Sequence, residues 1–204
     1  MKIELHSLFA APLIKFRFSQ HEKYNFKEIG RIDNTPPGWQ CCLNSSFPMI
    51  MDNDEFISME TRNDLIEDLI NDIKNVMISM VDIDTNNFAL ESLWYNIYHE
   101  DQNQEIHDHL GLGSPILSGI YYNKNASPTV FHRIDRYHNI CKFDGVDDSI
   151  LEKFYSGTEE IDVEDGDVVL FQPWMPHSVN PSNSDRMRLT FSFNIEYNQD
   201  ISEF

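Results

Sequence analysis

The sequence predicts an α+β protein that is mainly β, in which a sandwich or jelly roll of strands is supported by one amphipathic helix. Three observations carry this prediction: one long run has helical periodicity, several later runs are short and β-prone, and turn signals separate most of them. Because helices and strands do not alternate along the chain, a Rossmann-type fold with a parallel sheet is disfavoured.

The first part of the chain contains the helix. Residues 8–18 mix apolar and β-prone side chains and predict an edge strand, whereas residues 20–60 are polar and loop-like with a turn at residues 36–38. The helix is predicted over residues 62–81, where apolar side chains recur at helical spacing. These side chains are Leu65, Ile66, Leu69, Ile70, Ile73, Val76, Met77 and Met80. We expect this stripe to pack against the sheet.

Beyond residue 86 the chain becomes a series of short β-prone runs. Strands are predicted at residues 88–98, 116–122, 129–134, 168–172 and 189–197. Around the last of them, polar and apolar side chains alternate from residue 186 to 195, so Leu189 and Phe191 share one face while Arg188 and Thr190 share the other. The polar face fits either the wet outer surface of a sheet or the lining of a polar cavity that holds an anion.

The charge and the cysteines of the chain limit its partners and location. Fifteen Lys and Arg against 34 Asp and Glu give a net charge of −19, which disfavours nucleic acid and anionic membranes as partners. No run approaches the roughly 20 apolar residues of a membrane span. The three cysteines fit neither a disulfide framework nor a CxxC metal site. We therefore expect one domain, residues 1–204, in a reducing cytoplasm.

Three of the eight histidines are candidate metal ligands. His107 and His109 form a His-x-His pair, and in an extended segment residues i and i+2 point the same way, so one metal ion can bind both imidazoles. His177 follows an apolar, proline-containing stretch that indicates a buried strand end, where an unpaired imidazole is costly. A local pair of ligands with one distant ligand is how a β-barrel holds iron or zinc with positions left open.

Two arginines add a second feature to this pattern. Arg186 and Arg188 lie nine and eleven residues after His177, on the polar face of the predicted last strand. A guanidinium one strand from a metal suits a ligand with two carboxylates, because one end chelates the metal and the other pairs with the arginine. The stretch Gly119-Ile120-Tyr121-Tyr122 supplies a phenol for the same carboxylate.

The order and spacing of these stretches resemble the 2-oxoglutarate- and Fe(II)-dependent oxygenases, and most closely the family of such oxygenases found in bacteria and their phages. The matching stretches are Trp94-Tyr95-Asn96, His107-Asp108-His109, Ser118-Gly119-Ile120-Tyr121-Tyr122, Gly166-Asp167-Val168-Val169-Leu170-Phe171, His177-Ser178-Val179 and Arg188-Leu189-Thr190-Phe191-Ser192-Phe193-Asn194. The resemblance implies a double-stranded β-helix (jelly-roll) core and a hydroxylase-type dioxygenase. It also implies Fe(II) as cofactor, 2-oxoglutarate as cosubstrate, O2 and an organic substrate as partners, and the cytoplasm of a bacterium or a phage-infected host.

The resemblance also implies the iron ligands. Carried over by position, His107 is the first ligand and His177 the distal one. The usual superfamily motif is His-x-Asp or His-x-Glu, whereas this chain has His109 at that position. The third ligand is therefore His109, or Asp108 swung inward by a local kink, or water, and we favour His109.

The contacts of 2-oxoglutarate are implied in the same way. Arg188 is the first residue of an Arg-x-Thr motif that ends at Thr190, and it is expected to bind the far carboxylate of 2-oxoglutarate. Arg186 is the alternative residue for this role. Tyr122 resembles the tyrosine that binds this carboxylate in the prolyl-hydroxylase branch. Asn96 is expected to be a further cosubstrate contact, as is Thr190.

Two other functions stay open at this stage. A cupin-like metalloprotein would use the same histidines without 2-oxoglutarate and would not need an arginine after His177. A non-catalytic jelly-roll module, with a binding or structural role, would bind no metal tightly. The substrate, either a protein side chain or a small molecule, is expected to contact residues 124–165. This insertion is predicted to form the rim of the cavity and contains Phe131, His132, Tyr137 and Tyr155.

Overall fold

The secondary structure consists of one long helix and ten strands within the described part of the chain. The structure is a computed structural model that describes residues 11–52, 54–81, 83–111, 113, 115–133, 157–181 and 185–198. The elements are β1 (Ile14–Arg17), a 3-10 helix (His21–Lys23), β2 (Asn44–Ser45), α1 (Met59–Val81), β3 (Phe88–Tyr98), β4 (Gln104–His107), β5 (Leu117–Lys124), β6 (Val130–His132), β7 (Thr158–Glu160), β8 (Asp167–Phe171), β9 (His177–Val179) and β10 (Arg188–Tyr197).

The strands form two antiparallel sheets. The larger sheet has the order β1-β8-β5-β10-β3-β2, and the smaller sheet has the order β4-β9-β6-β7. From β3 onward the chain passes back and forth between the two sheets. Strands β3, β5, β8 and β10 belong to the larger sheet, and strands β4, β6, β7 and β9 belong to the smaller sheet. Two facing sheets connected in this way form the double-stranded β-helix, or jelly roll. The predicted fold class is therefore confirmed.

Helix α1 begins three residues earlier than the apolar pattern predicts and packs on the larger sheet. Ser58 caps it, since the Thr61 backbone N–H donates to Ser58 Oγ at 3.2 Å and so finds a partner that the helix itself cannot supply. The buried face of the helix consists of Leu65, Leu69, Ile73 and Met77. These side chains share one apolar core with the outer face of β3, β5, β8 and β10, and the half-buried Ile66 and Ile70 pack against it. The predicted packing of the apolar stripe is therefore confirmed for these six residues and wrong for Met80, which is 64% exposed.

Strand β10 is buried on both faces. Every side chain from Arg188 to Ile195 is buried, although alternate residues are polar. Leu189 and Phe191 belong to the core beneath α1, so the polar residues face the smaller sheet. Of the two interpretations of the polar face, the enclosed lining is right and the wet outer surface is wrong.

Part of the predicted rim belongs to the core instead. Strands β6 and β7 both lie within residues 124–165. Phe131 is buried, and its ring centroid lies 5.2 Å from that of Phe171 and 5.9 Å from that of His177. The prediction of a rim is therefore wrong for this residue, because β6 pairs with β9. Tyr137 and Tyr155 lie outside the described residues.

Four short strands were not predicted from the sequence: β2, β4, β7 and β9. Strand β4 was predicted only as an extended segment and β9 only as a strand end, because two to four residues are too few for an alternating pattern to show. Within the described residues, no helix combines the length and the apolar character that a membrane crossing requires.

Gly119 is required by close packing inside the larger sheet. It lies opposite Phe193 in the β5–β10 ladder, and a Cβ at this position would overlap the Phe193 ring and approach Leu170 Cδ2 to 3.0 Å. We expect Gly119→Ala to lower the free energy of unfolding in urea by about 1–3 kcal/mol, the usual effect of overpacking. Gly30→Ala is the control, because no heavy atom lies within 4 Å of its Cβ position. Equal stability of the two variants would contradict this account.

Candidate metal centre

Two neighbouring strands of the smaller sheet bring three histidines together. Strand β4 pairs with β9 in a register that places His107 opposite His177. His109 follows β4, and its backbone N–H donates to the carbonyl of Pro173 at 2.8 Å, which holds it beside the chain that enters β9. One ring nitrogen from each histidine lies within 4.8 Å of the others. Three imidazoles at this spacing can bind one metal ion.

The hydrogen bonds at Nδ1 decide which nitrogen of each ring is free. The Nδ1 atoms of His107 and His177 lie 2.9 and 3.0 Å from backbone carbonyls two residues earlier in the chain. His109 Nδ1 lies 2.9 Å from Asn194 Oδ1. Carbonyl and amide oxygens only accept hydrogen bonds, so these contacts favour the tautomer with the proton on Nδ1 and the lone pair on Nε2. The Nε2 atom of His107 also lies 3.3 Å from the side-chain amide nitrogen of Gln104, a donor that a bound metal ion would displace.

Burial keeps these imidazoles neutral. It lowers the pKa of His109 to about 4 and the pKa of His107 below its ordinary value. For His177, burial and the neighbouring histidines lower the pKa well below its ordinary value. Near pH 7 the three rings are therefore in the unprotonated state that binds metals.

Asp108 lies apart from this cluster. Its side chain is exposed, and its Oδ1 accepts the backbone N–H of Leu110 at 3.0 Å. The local kink that would swing Asp108 inward is not present. The histidines alone therefore supply the converging donor atoms among the described residues.

Arg188 carries a buried charge for which the described residues supply no counter-charge. Its side chain is 5% exposed, and its guanidinium carbon lies 5.2 Å from the ring centroid of Tyr98 and 5.8 Å from that of Tyr122. The Nε and Nη2 atoms have no hydrogen-bond partner among the described residues. Burial lowers the pKa of Arg188, yet a guanidinium stays charged near neutral pH. An unpaired buried charge is costly, so the arrangement fits an anion.

Arg186 lies in a different environment. It precedes β10 and is exposed. The expectation that Arg186 and Arg188 share a strand face is wrong, because the strand begins only at Arg188. The polar lining of the jelly roll therefore contains Arg188 and not Arg186.

The other expected cosubstrate contacts are all buried on the same inner face. The Tyr122 hydroxyl donates to Thr129 Oγ1 at 2.8 Å. The side-chain amide of Asn96 accepts from a serine of β2 and donates to a serine of β10, so it ties three strands together. Thr190 lies between Asn96 and Tyr122 in the ladder. Their contacts with 2-oxoglutarate stay predictions.

Two tryptophan rings lie beside two of the three histidines. The ring centroid of Trp39 lies 6.1 Å from that of His107, and the centroid of Trp94 lies 5.5 Å from that of His109. Phe47 contacts both tryptophans, at 5.0 and 5.4 Å. These rings therefore pack beside the two imidazoles.

The predicted turn at residues 36–38 is confirmed, and Trp39, which follows it directly, lies at the site. Gly38 has φ +91°, a conformation that glycine adopts at no steric cost, and the Trp39 N–H donates to the carbonyl of Pro36 at 3.2 Å. Sequence reasoning did not find Trp39. The proline–proline–glycine turn directly before it was the only local signal.

Ser118 and Asn194 were also missed, although both fall in stretches that resemble the oxygenases. Ser118 Oγ and Asn194 Oδ1 lie 2.8 and 2.9 Å from His109 Nδ1 and 2.8 Å from each other. Asn194 lies on the polar face of β10, which was the available signal. These two residues orient the His109 ring.

A sequence model described as "Putative 2OG-Fe(II) oxygenase" matches residues 92–194, half of the chain. The chain belongs to this 2OG-Fe(II) oxygenase family. The match runs from β3 into β10 and includes the three histidines and Arg188. No curated protein matches the sequence.

Several solved structures resemble this chain at low sequence identity. HygX from Streptomyces hygroscopicus, with nickel, 2-oxoglutarate and hygromycin B bound, is 12% identical with a TM-score of 0.51, over 92% of this chain and 84% of HygX. A Pseudomonas putida prolyl-4-hydroxylase is 12% identical with a TM-score of 0.44, over 78% of this chain and 73% of its own.

A Burkholderia pseudomallei oxidoreductase of the 2OG-Fe(II) oxygenase family is also 12% identical, with a TM-score of 0.47. The similarity covers 68% of this chain and 57% of that one, so the chain spans little more than half the length of this relative. The similarity to HygX shows a shared fold.

The side chains of this oxygenase fit the metal and cosubstrate of its family. Imidazole nitrogens suit iron, and one ring nitrogen from each of the three neutral histidines converges on a common point. The unpaired nitrogens of buried Arg188 suit a carboxylate.

Proposed function

We propose that this oxygenase uses Fe(II) and 2-oxoglutarate to hydroxylate an organic substrate, with iron held by His107, His109 and His177 and the far carboxylate of 2-oxoglutarate held by Arg188. One observation carries the proposal: three converging imidazoles and a buried guanidinium, whose Nε and Nη2 have no partner among the described residues, both lie at the inner face of β10. A diacid that chelates a metal at one end satisfies both.

The residues of the chain position and shield the reactants. When bound, iron and 2-oxoglutarate supply the oxidising chemistry, which consumes O2, releases succinate and CO2 and places one oxygen atom on the substrate. Arg188 presents a planar fork that matches a carboxylate, and the Tyr122 ring packs beside that fork. The inner face of β10 is buried, so water is excluded from these polar contacts, which strengthens them.

The two alternatives leave a buried group unexplained. A cupin-like metalloprotein without 2-oxoglutarate would keep the costly Arg188 charge in its interior with no ligand to pair with it. A non-catalytic module would keep three converging neutral imidazoles without a metal. The oxygenase accounts for both groups.

We further infer that residues 1–204 form a single oxygenase domain in the cytoplasm of a bacterium or a phage-infected host. The elements before the family match support one domain, because β1 pairs with β8, β2 pairs with β3, and α1 shares their core. Cys41 and Cys42 are free thiols, which suits a reducing compartment. The net charge of −19 favours a protein side chain or small molecule over nucleic acid as substrate.

A titration without O2 tests the proposed function. Addition of Fe(II) and then 2-oxoglutarate is expected to produce the weak visible charge-transfer band of a chelated 2-oxo acid, whereas succinate, which lacks the keto group, is expected to produce none. Iron binding without the band would favour the cupin-like alternative. Failure to bind iron would favour the non-catalytic module.

A further inference from the structure

Asn194 connects a candidate metal ligand to the interior of the jelly roll. Its Oδ1 accepts hydrogen bonds from His109 Nδ1 at 2.9 Å and from Ser118 Oγ at 2.8 Å. Its Nδ2 is buried and has no hydrogen-bond partner among the described residues. His109, Ser118 and Asn194 are each at most 2% exposed, so bulk water does not satisfy this donor. A buried amide N–H without a partner is costly and calls for an explanation.

The backbone holds the Asn194 side chain in place. In the larger sheet Asn194 pairs with Ser118 of β5 and with Ser92 of β3. Directly after Asn194 the ladder with β3 shifts by one residue, because Ile195 pairs with Leu90. Such bulges redirect side chains and recur next to active sites.

The unpaired buried groups on the inner face of the larger sheet are all donors among the described residues. Arg188 contributes Nε and Nη2 at the start of β10. Asn194 Nδ2 and Trp94 Nε1 lie beside His109, at the metal end. Unpaired donors beside both Arg188 and His109 match a ligand with an acceptor-rich group at each end, as a dicarboxylate has.

His109 needs a partner that fixes the position of its proton. A serine hydroxyl can donate or accept, so Ser118 alone permits either tautomer of the ring. An amide oxygen only accepts, so Asn194 Oδ1 permits only the tautomer with the proton on Nδ1. This tautomer turns the lone pair of Nε2 toward His107 and His177.

We propose that Asn194 is a positioning residue with two tasks: its Oδ1 fixes the His109 tautomer, and its Nδ2 donates a hydrogen bond to the metal-end carboxylate of 2-oxoglutarate. The inference rests on the proposed function. Since three histidines give the iron no negative ligand, a neutral donor can hold the near carboxylate while iron neutralises its charge.

The first task is tested on the metal-free wild-type protein. Nitrogen NMR of 15N-histidine-labelled protein, with His109 assigned by its loss in His109→Gln, is expected to show a proton on Nδ1. A proton on Nε2 would overturn the tautomer assignment, because the Asn194 amide would then donate to the ring. This measurement needs no variant of Asn194.

The second task is tested with two variants of equal size. Asn194→Asp keeps an acceptor for His109 but loses the donor, and Asn194→Leu loses both without adding charge. In calorimetry on Ni(II)-loaded protein, both variants are expected to bind 2-oxoglutarate at least about tenfold more weakly than wild type. This is the effect of losing one charge-assisted hydrogen bond. Loss of Ni(II) by Asn194→Leu but not by Asn194→Asp would support the orientation of His109 by Oδ1.

Asn123→Asp is the matched control, since Asn123 is an equally buried asparagine of β5 whose amide donates on the outer face to Tyr24 and Tyr121. It is expected to lose stability and to keep its affinity for Ni(II) and 2-oxoglutarate. If only Asn194→Asp binds 2-oxoglutarate more weakly, the cause is charge repulsion and the donor role is overturned. Wild-type affinity for 2-oxoglutarate in both Asn194 variants would also overturn the donor role. If the wild-type Ni(II) protein does not bind 2-oxoglutarate, the proposed function itself fails, whereas the tautomer result stands separately.

Discussion

Replacement of His177 by alanine is expected to remove Fe(II) binding, with an affinity loss of more than about 100-fold. Loss of a residue that only orients a ligand already costs about 10–100-fold, and His177 is expected to bind the metal directly. The same result is expected for His107→Ala, because His107 lies opposite His177 in the β4–β9 pair. Metal analysis after anaerobic loading and desalting measures the effect.

His132→Ala is the control for the histidine variants. His132 is half-buried in the neighbouring strand β6, where its Nε2 lies 2.9 Å from Ser178 Oγ, and it is not part of the cluster. It is expected to retain stoichiometric iron. Retention of iron by His107→Ala or His177→Ala would show that the ligand assignment is wrong.

The third ligand is identified by comparing His109→Ala with Asp108→Ala. Because Asp108 is exposed and bonded to the backbone of Leu110, its removal is expected to leave iron binding unchanged. Loss of iron in Asp108→Ala alone would transfer the role from His109 to Asp108.

Arg188→Ala is expected to weaken 2-oxoglutarate binding at least about tenfold and to leave iron binding nearly unchanged. A hydrogen bond to a charged group contributes about 1.5–3 kcal/mol, and truncation would also strand a buried carboxylate. Arg188→Lys is expected to recover only part of the affinity, because a point charge does not reproduce the guanidinium fork. Calorimetry on the Ni(II)-loaded protein measures both variants.

Arg186→Ala is the control for the cosubstrate, since Arg186 is exposed and lies before β10. If Arg186→Ala weakens 2-oxoglutarate and Arg188→Ala does not, the anchor is Arg186. A purely structural role for Arg188 is tested by urea denaturation of ligand-free Arg188→Met. Its stability is expected to match or exceed that of wild type, because the substitution removes an uncompensated buried charge.

Local patterns predicted the main elements well. The apolar spacing of Leu65, Leu69 and Ile73 predicted the helix to within three residues at its start, and residues 88–98 were predicted as a strand with the observed bounds. Both patterns repeat over enough residues to be unambiguous. Strands β2 and β7 were missed because their pairing partners, not their own residues, make them strands.

The candidate site was predicted in part. His107, His109 and His177 come together as their spacing predicts, since neighbouring residues of an extended chain and the end of one strand can be placed from sequence. Trp39 could not be placed, because its contact with His107 depends on how a long loop folds back over the sheet. Asn194 lies 85 residues from its partner His109, and no local pattern joins residues so far apart.

Sequence patterns alone identified the family resemblance, the mainly β class and the two faces of the last strand. The folded chain was needed to show that the polar face of β10 is enclosed, that Arg188 rather than Arg186 belongs to it, and that Asp108 faces solvent. It also placed Asn194 Oδ1 2.9 Å from His109 Nδ1. The physical reason is that alternation fixes which residues share a face, whereas the second sheet and the hydrogen bonds between distant strands fix what that face meets.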